Sequence, residues 1–118
     1  MPSLQLRSPF GEIFILKIVN TPETIQQGLM FRKSLKPYHG MFFAFDSPAR
    51  RSMWMKNTLI PLDIIWLDKS LQILHINRNA TPCTTPTCKS YSSVYRATYA
   101  IEINAGEAAN LVPGMRLT

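Results

Sequence analysis

The apolar residues of this chain fall into short runs rich in β-branched and aromatic side chains, and turn-forming residues separate the runs. Such runs favour strands and leave little room for long helices. The predicted strands cover 12–20, 41–45, 51–58, 63–67, 71–76, 94–104 and 115–117. Asp46-Ser47-Pro48 predicts a turn, and Asp68-Lys69-Ser70 predicts a hairpin. Along 94–104, alternation predicts one face with Ile101 and Ile103 and an opposite face with Ala100 and Glu102.

One helix is predicted where the first strand ends. Thr21 is a suitable cap, Pro22 suits the first turn, and Glu23 complements the helix dipole. We expect this helix to end near Phe31. A chain of 118 residues suits a single domain over positions 1–118. The prediction is an α+β fold, mainly antiparallel β, as a small curled sheet or half-open barrel with one main helix.

A polar segment interrupts the apolar pattern between two tryptophans and predicts a site. Its candidate ligand-binding residues are Trp54, Lys56, Asn57, Thr58 and Asp63. They supply a cation, an amide, a hydroxyl and a carboxylate, with Trp54 and Trp66 as a floor. Arg32 and Glu102 join the candidates if the fold brings them near. The alternative is an internal network in which Lys56 pairs with Asp63 or Glu102 and no ligand is involved.

Basic residues concentrate between positions 32 and 56, in a chain of net charge +6. They are Arg32, Lys33, Lys36, Arg50, Arg51 and Lys56. We call this group the basic patch. It would attract phosphates, acidic polymers or membrane surfaces, or it would only form a solvated face that keeps the protein soluble. No nucleic-acid-binding motif accompanies it, so nucleic acid is not the expected partner.

Cys83 and Cys88 are the two cysteines, spaced C-x4-C in a proline-containing irregular stretch over 77–93. A disulfide between them is the favoured prediction, with two free thiols or redox chemistry as alternatives. Zinc is disfavoured because about four Cys or His ligands would be needed. Four methionines at 30, 41, 53 and 55 allow a copper(I) site, but methionine also fills gaps in cores. No metal, cofactor or catalytic residue is therefore predicted.

Five blocks of the sequence occur in an order that carries a family resemblance: GLMFR (28–32), GMFFAF (40–45), WMKNT (54–58), IPLDII (60–65) and IEINAG (101–106). Together they closely resemble the short bacterial and archaeal proteins known as domain of unknown function 192, from about position 12 onward. The resemblance implies a small closed or half-closed β structure with few helices. It implies no established activity, substrate or cofactor. It also implies that many members are exported or lipid-anchored, while others carry no leader.

The sequence favours a non-enzymatic domain that binds a small polar or anionic ligand at the polar segment. The first alternative is a protein-interaction or nucleic-acid-binding module that uses the basic patch. The second is an enzyme built on Lys56, Asp63 and Glu102. No apolar run approaches the ~20 residues of a membrane span, and no signal peptide is evident. A removed leader would imply a periplasmic or extracytoplasmic protein, and otherwise a cytoplasmic one is expected.

Overall fold

The computed structural model describes residues 2–118 as one six-stranded sheet with a short helix. The elements are β1 (Ser3–Arg7), β2 (Ile13–Val19), α1 (Pro22–Gln27), β3 (His39–Trp54), β4 (Leu62–Leu67), β5 (Ile73–Ala80) and β6 (Ser90–Asn104). The strand order is β1-β2-β3-β6-β4-β5. Only β2 and β3 pair in parallel, because α1 and the following loop connect them. The predicted α+β, mainly β fold is confirmed, as a mixed sheet that is not closed into a barrel.

The sheet curls around a hydrophobic core that we call the inner core. Leu6 on edge strand β1 and Ile73 on edge strand β5 belong to this one cluster, so the two edges bend toward each other. The C-terminal residues lie between them. Thr118 O accepts from Arg7 N at 2.8 Å, and Met115 O accepts from Ile73 N at 2.7 Å. The C-terminal segment thereby pairs with the backbone of one residue on each edge strand, Arg7 on β1 and Ile73 on β5.

The opposite face of the sheet carries a second cluster, the outer core. Phe43 on β3 and Trp66 on β4 lie at its centre, and Leu29 and Met55 cover them from the connecting segments. The alternation predicted for β6 is confirmed, with Ile101 and Ile103 in the inner core and Ala100 in the outer core. Burial on both faces makes all of β4 inaccessible to solvent.

Several predicted boundaries are wrong. The helix is capped by Thr21 as expected, but it ends at Gln27 instead of near Phe31 because Gly28 takes a φ of 47°. The predicted turn at 46–48 lies inside β3, which bends through register shifts instead of breaking. The irregular stretch is shorter than 77–93, since β5 reaches Ala80 and β6 begins at Ser90.

The two ends of the chain also differ from the sequence prediction. Strand β1 was not predicted, because a five-residue edge strand gives only a weak pattern. The strand predicted over 115–117 is reduced to a single bridge between Gln72 and Arg116. Across residues 2–118, no helix has the length and apolar character needed to cross a bilayer.

Candidate functional site

A pocket of about 360 Å³ opens on the outer face of the sheet. It lies between the end of α1, both halves of β3 and the two ends of β6, where Ser90 and Glu102 line it. Leu29, Met30 and Phe43 contribute apolar wall. Lys56 and Glu102 contribute its two charged or ionisable side chains. A concave site of this size, mostly apolar with a few polar groups, is typical of small-molecule binding.

Glu102 lies at the inner end of the pocket because β6 places its side chain on the outer face. Its cross-strand neighbours are Met41 on β3 and Ile64 on β4, and neither offers a polar side chain. The residue is 5% exposed. A Cβ placed on Gly28 would lie 3.7 Å from Glu102 Oε1, so the carboxyl reaches the pocket wall there. Within residues 2–118, no side chain or backbone group forms a hydrogen bond or ion pair with this carboxyl.

Burial without a partner changes the acidity of this group. Desolvation raises the pKa of Glu102 from 4.5 to about 8. The carboxyl is therefore mostly protonated near neutral pH. A protonated carboxyl can donate one hydrogen bond and accept others, whereas the ionised form only accepts.

Three of the predicted site residues share this pocket with Glu102. Lys56 is half-buried and donates one hydrogen bond from Nζ to Thr85 O at 3.3 Å, which leaves two of its donors free. The Thr58 hydroxyl donates to Lys56 O at 3.4 Å. Trp54 is 47% exposed at the rim. The structure thus brings Trp54, Lys56, Thr58 and Glu102 around one cavity.

Asp63 is separated from this cavity. It pairs in register with Ile103, whose side chain belongs to the inner core, so Asp63 faces away from Glu102. Its carboxylate accepts from the backbone N–H groups of Asn79 at 2.9 Å, Gly106 at 2.9 Å and Ala108 at 3.1 Å. These bonds fix the turn after β6 against the end of β5. Asp63 therefore forms an internal network with backbone donors, and it does not pair with Lys56 as the alternative interpretation expected.

Arg32, Asn57 and Trp66 also lie outside the pocket lining. Arg32 is exposed. Asn57 has a φ of 56° and connects neighbouring segments through its backbone, donating to Cys83 O at 2.8 Å and accepting from Phe31 N at 2.9 Å. Trp66 is buried in the outer core, where its indole N–H donates to Asn77 Oδ1 at 2.6 Å. It does not form the expected floor of the site.

Sequence reasoning missed several lining residues, among them Gly28, Phe43, Ser52 and Ser90. Gly28 carried the clearest signal, because a glycine inside a helical pattern indicates either an end or a close approach. Phe43 stands in the apolar run 41–45 and has the pattern of an ordinary core residue. Ser52 and Ser90 have no distinguishing pattern, and only the pairing of β3 with β6 places them at the pocket.

Cys83 and Cys88 are joined by a disulfide, with Cα atoms 5.9 Å apart. Cys83 N donates to Met55 O at 3.2 Å, so the loop is attached to the end of β3. Cys88 lines the pocket, and Thr85 within the same loop holds Lys56. The disulfide loop is therefore one wall of the site.

The basic patch is only partly exposed to solvent. Arg32, Lys33, Lys36 and Arg50 are exposed. Arg51 is half-buried, with its guanidinium 4.2 Å from the Phe45 ring centre and 3.5 Å from Asp46 Oδ1. Lys56 belongs to the pocket. Two of the six predicted cations are thus engaged by the protein itself.

The residues available to hold a metal are few. In the described part of the chain, no group of three or more His, Cys, Asp or Glu residues could hold an ion. The methionines are divided between two environments. Met30 and Met53 line the pocket, whereas Met41 and Met55 are buried in the outer core.

Comparison with known proteins places this architecture among uncharacterised relatives. The family model DUF192, described as "Uncharacterized ACR", matches residues 6–118. A candidate transcription regulator from Sinorhizobium meliloti 1021 has a crystal structure that matches with a TM-score of 0.85 and 33% identity, over 97% of this chain and 89% of that one. A protein of unknown function from Novosphingobium aromaticivorans DSM 12444 matches with a TM-score of 0.85 and 28% identity, over 98% and 83%. No curated protein matches the chain.

Proposed function

This chain belongs to the DUF192 family, and from that premise we propose that its outer-face pocket binds a small polar molecule through Glu102. One observation carries the proposal. Glu102 is 5% exposed, faces the pocket and has no hydrogen-bonding partner among residues 2–118. The fully buried side-chain atoms without a partner in residues 2–118 are Arg51 Nε and Glu107 Oε1, so the Glu102 oxygens keep some contact with the space of the pocket. A ligand in the pocket can therefore reach this carboxyl and supply the hydrogen-bonding partner that the protein does not.

The remaining groups of the pocket support this role. Phe43, Leu29 and Met30 offer apolar contact area, and Trp54 offers an aromatic face at the rim. Lys56 adds free N–H donors, and the Thr58 hydroxyl, whose proton is donated to Lys56 O, adds an acceptor. Small-molecule sites combine a predominantly apolar surface with a few polar groups that fix orientation, and this pocket has that composition.

A second candidate is an enzyme in which Glu102 transfers a proton. The raised pKa supports it, because a general acid or base works best with a pKa near the operating pH. Lys56 would then stabilise negative charge on the substrate. The two candidates differ in outcome: a binding domain returns its ligand unchanged, whereas an enzyme converts it during prolonged incubation, as NMR of the ligand would detect.

A third candidate, transcription regulation, comes from the description of the Sinorhizobium meliloti relative. The exposed cations Arg32, Lys33, Lys36 and Arg50 favour contact with phosphates. The six residues of α1 are too few for the recognition helix of a major-groove reader. We therefore rank this function below small-molecule binding.

The test is a fragment screen followed by NMR on isotope-labelled protein. Ligands are expected to shift the amide resonances of Gly28, Trp54 and Ser90. Glu102→Gln should weaken the binding of these ligands by up to about tenfold, since a hydrogen bond to a neutral group contributes about 0.5–1.5 kcal/mol.

Two further variants test whether ligands bind in this pocket. Ser52→Trp places an indole in the pocket without changing charge, and it should prevent binding. Glu23→Gln makes the same carboxylate-to-amide change on exposed α1 and should leave binding unchanged. Ligands that bind equally well to the wild type and to Ser52→Trp would contradict the proposal.

A further inference from the structure

We propose that the ligand of this pocket is a small zwitterion whose ammonium group lies at Glu102 and whose anionic group lies at Lys56. The inference rests on the proposed function and specifies the ligand class. An amino acid with its amine and carboxylate separated by a short apolar chain has this chemistry.

The Glu102 end favours a cation. The cross-strand neighbours of Glu102 are Met41 on β3 and Ile64 on β4, Gly28 lies beside its carboxyl, and none of these residues carries charge. An ion pair formed in such surroundings is strong because little solvent screens it, and a lone carboxylate there is costly for the same reason. Phe43 and Trp54 also line the cavity, and aromatic faces attract ammonium groups.

The Lys56 end favours an anion. Its side chain is half-buried, and Thr85 O holds one of its N–H groups and so limits its motion. The remaining donors are free for a carboxylate or phosphate oxygen.

The two groups do not neutralise each other. Across residues 2–118, Arg51 with Asp46 is the one salt bridge, so Lys56 and Glu102 line the same pocket without coming within 4.0 Å. A plain cation would leave Lys56 without a partner in the ligand, and a plain anion could pair with Glu102 only while that carboxyl is protonated. A zwitterion that spans the gap pairs both. The volume of about 360 Å³ lies at the lower end for small-molecule sites and suits a ligand of amino-acid size.

The experiment measures binding of matched probe series by NMR and calorimetry. Glycine, β-alanine, 4-aminobutyrate and 6-aminohexanoate are each compared with the alkylamine and the alkanoate of equal length. We expect one chain length to bind at least about tenfold more tightly than either matched half-molecule. Glu102→Gln should abolish that advantage. Lys56→Gln should weaken the amino acid but not the alkylamine.

Proton release gives an independent readout. Because burial raises the pKa of Glu102 to about 8, the empty site holds a proton near neutral pH. An ammonium group would ionise the carboxyl and release about one proton. Lys56 is the other titratable side chain in the lining, since Cys88 is in a disulfide. Calorimetry in phosphate and in Tris should show this release in the wild type and none in Glu102→Gln.

The inference is overturned if an alkanoate binds as tightly as its amino acid, or if no probe binds up to about 20 mM. If a fragment from the screen still occupies the pocket, the zwitterion is wrong but the proposed function stands. If neither probes nor fragments enter the pocket, the zwitterion proposal and the proposed binding function are both wrong.

Discussion

Ionising the Glu102 carboxyl is expected to weaken the folded state. Its pKa in the folded protein is about 8, against 4.5 for an exposed glutamate, so the folded chain keeps this proton to higher pH than the unfolded chain. The proton on Glu102 therefore stabilises the folded state in full below pH 4.5, and this stabilisation is lost as the pH rises to about 8. The loss across that window is about 5 kcal/mol at full desolvation. Urea unfolding between about pH 5 and pH 8 measures it.

Glu102→Gln removes the titrating group while keeping its size, so its free energy of unfolding should fall less with pH than that of the wild type. Glu23→Gln, on the exposed surface of α1, should retain the wild-type slope. Equal slopes for the wild type and Glu102→Gln would show that this carboxyl titrates normally.

Asp63→Ala tests the other buried carboxylate. It would leave the backbone N–H groups of Asn79, Gly106 and Ala108 without their acceptor. Unpaired buried donors are costly, and we expect a loss of about 3 kcal/mol in chemical denaturation. Asp46→Ala removes a side chain that is 96% exposed and should cost no more than about 0.5 kcal/mol. Equal losses in the two variants would refute the assigned role of Asp63.

At the scale of elements, the pairing of β3 with β6 depends on Gly40. A Cβ at this position would lie 2.0 Å from the backbone oxygen of Glu102, far closer than a non-bonded carbon can approach an oxygen. Gly40→Ala should therefore cost about 3 kcal/mol, because the two strands must separate locally. Gly106→Ala is the comparison: a Cβ there meets open space, but φ is 95°, so the cost is backbone strain of about 1–2 kcal/mol. A smaller effect at Gly40 than at Gly106 would contradict this account.

The disulfide loop is the second element with a direct test. Protein purified without reductant and then denatured should show no free thiol, because Cys83 and Cys88 are bonded to each other. Reduction should lower the free energy of unfolding by about 2 kcal/mol, the value for closing so short a loop. A Cys83→Ser/Cys88→Ser double variant should not respond to reductant. Two titratable thiols in the untreated wild type would reject the bridge.

For the whole molecule, we predict weak DNA or RNA binding that disappears near about 150 mM salt and shows no sequence preference. The exposed cations Arg32, Lys33, Lys36 and Arg50 supply charge, but Arg51 and Lys56 are engaged elsewhere. No described helix is long enough to read a groove. Fluorescence anisotropy with unrelated duplexes and single strands measures this. Tight, sequence-dependent binding at that salt concentration would place transcription regulation first.

Much of the fold follows from local pattern. The cap at Thr21, the hairpin at Asp68 and the alternation along β6 are local properties, and the structure contains all three. The early end of α1 and the continuous course of β3 were missed. Both depend on how Gly28 and the residues around Pro48 are accommodated by neighbouring strands, which no short window of sequence contains.

The candidate site divides in the same way. The sequence by itself identified Lys56, Thr58 and Glu102 as polar residues inside apolar segments, because such interruptions are visible in the chain. It grouped Asp63 with Lys56 and Thr58 because segments 54–58 and 60–65 are adjacent in sequence. Only the tertiary structure decided that Asp63 faces the inner core and Glu102 the pocket, 39 positions further along the chain. In a sheet, side-chain direction alternates with every residue, so strand register fixes which polar groups meet, and register is a long-range property.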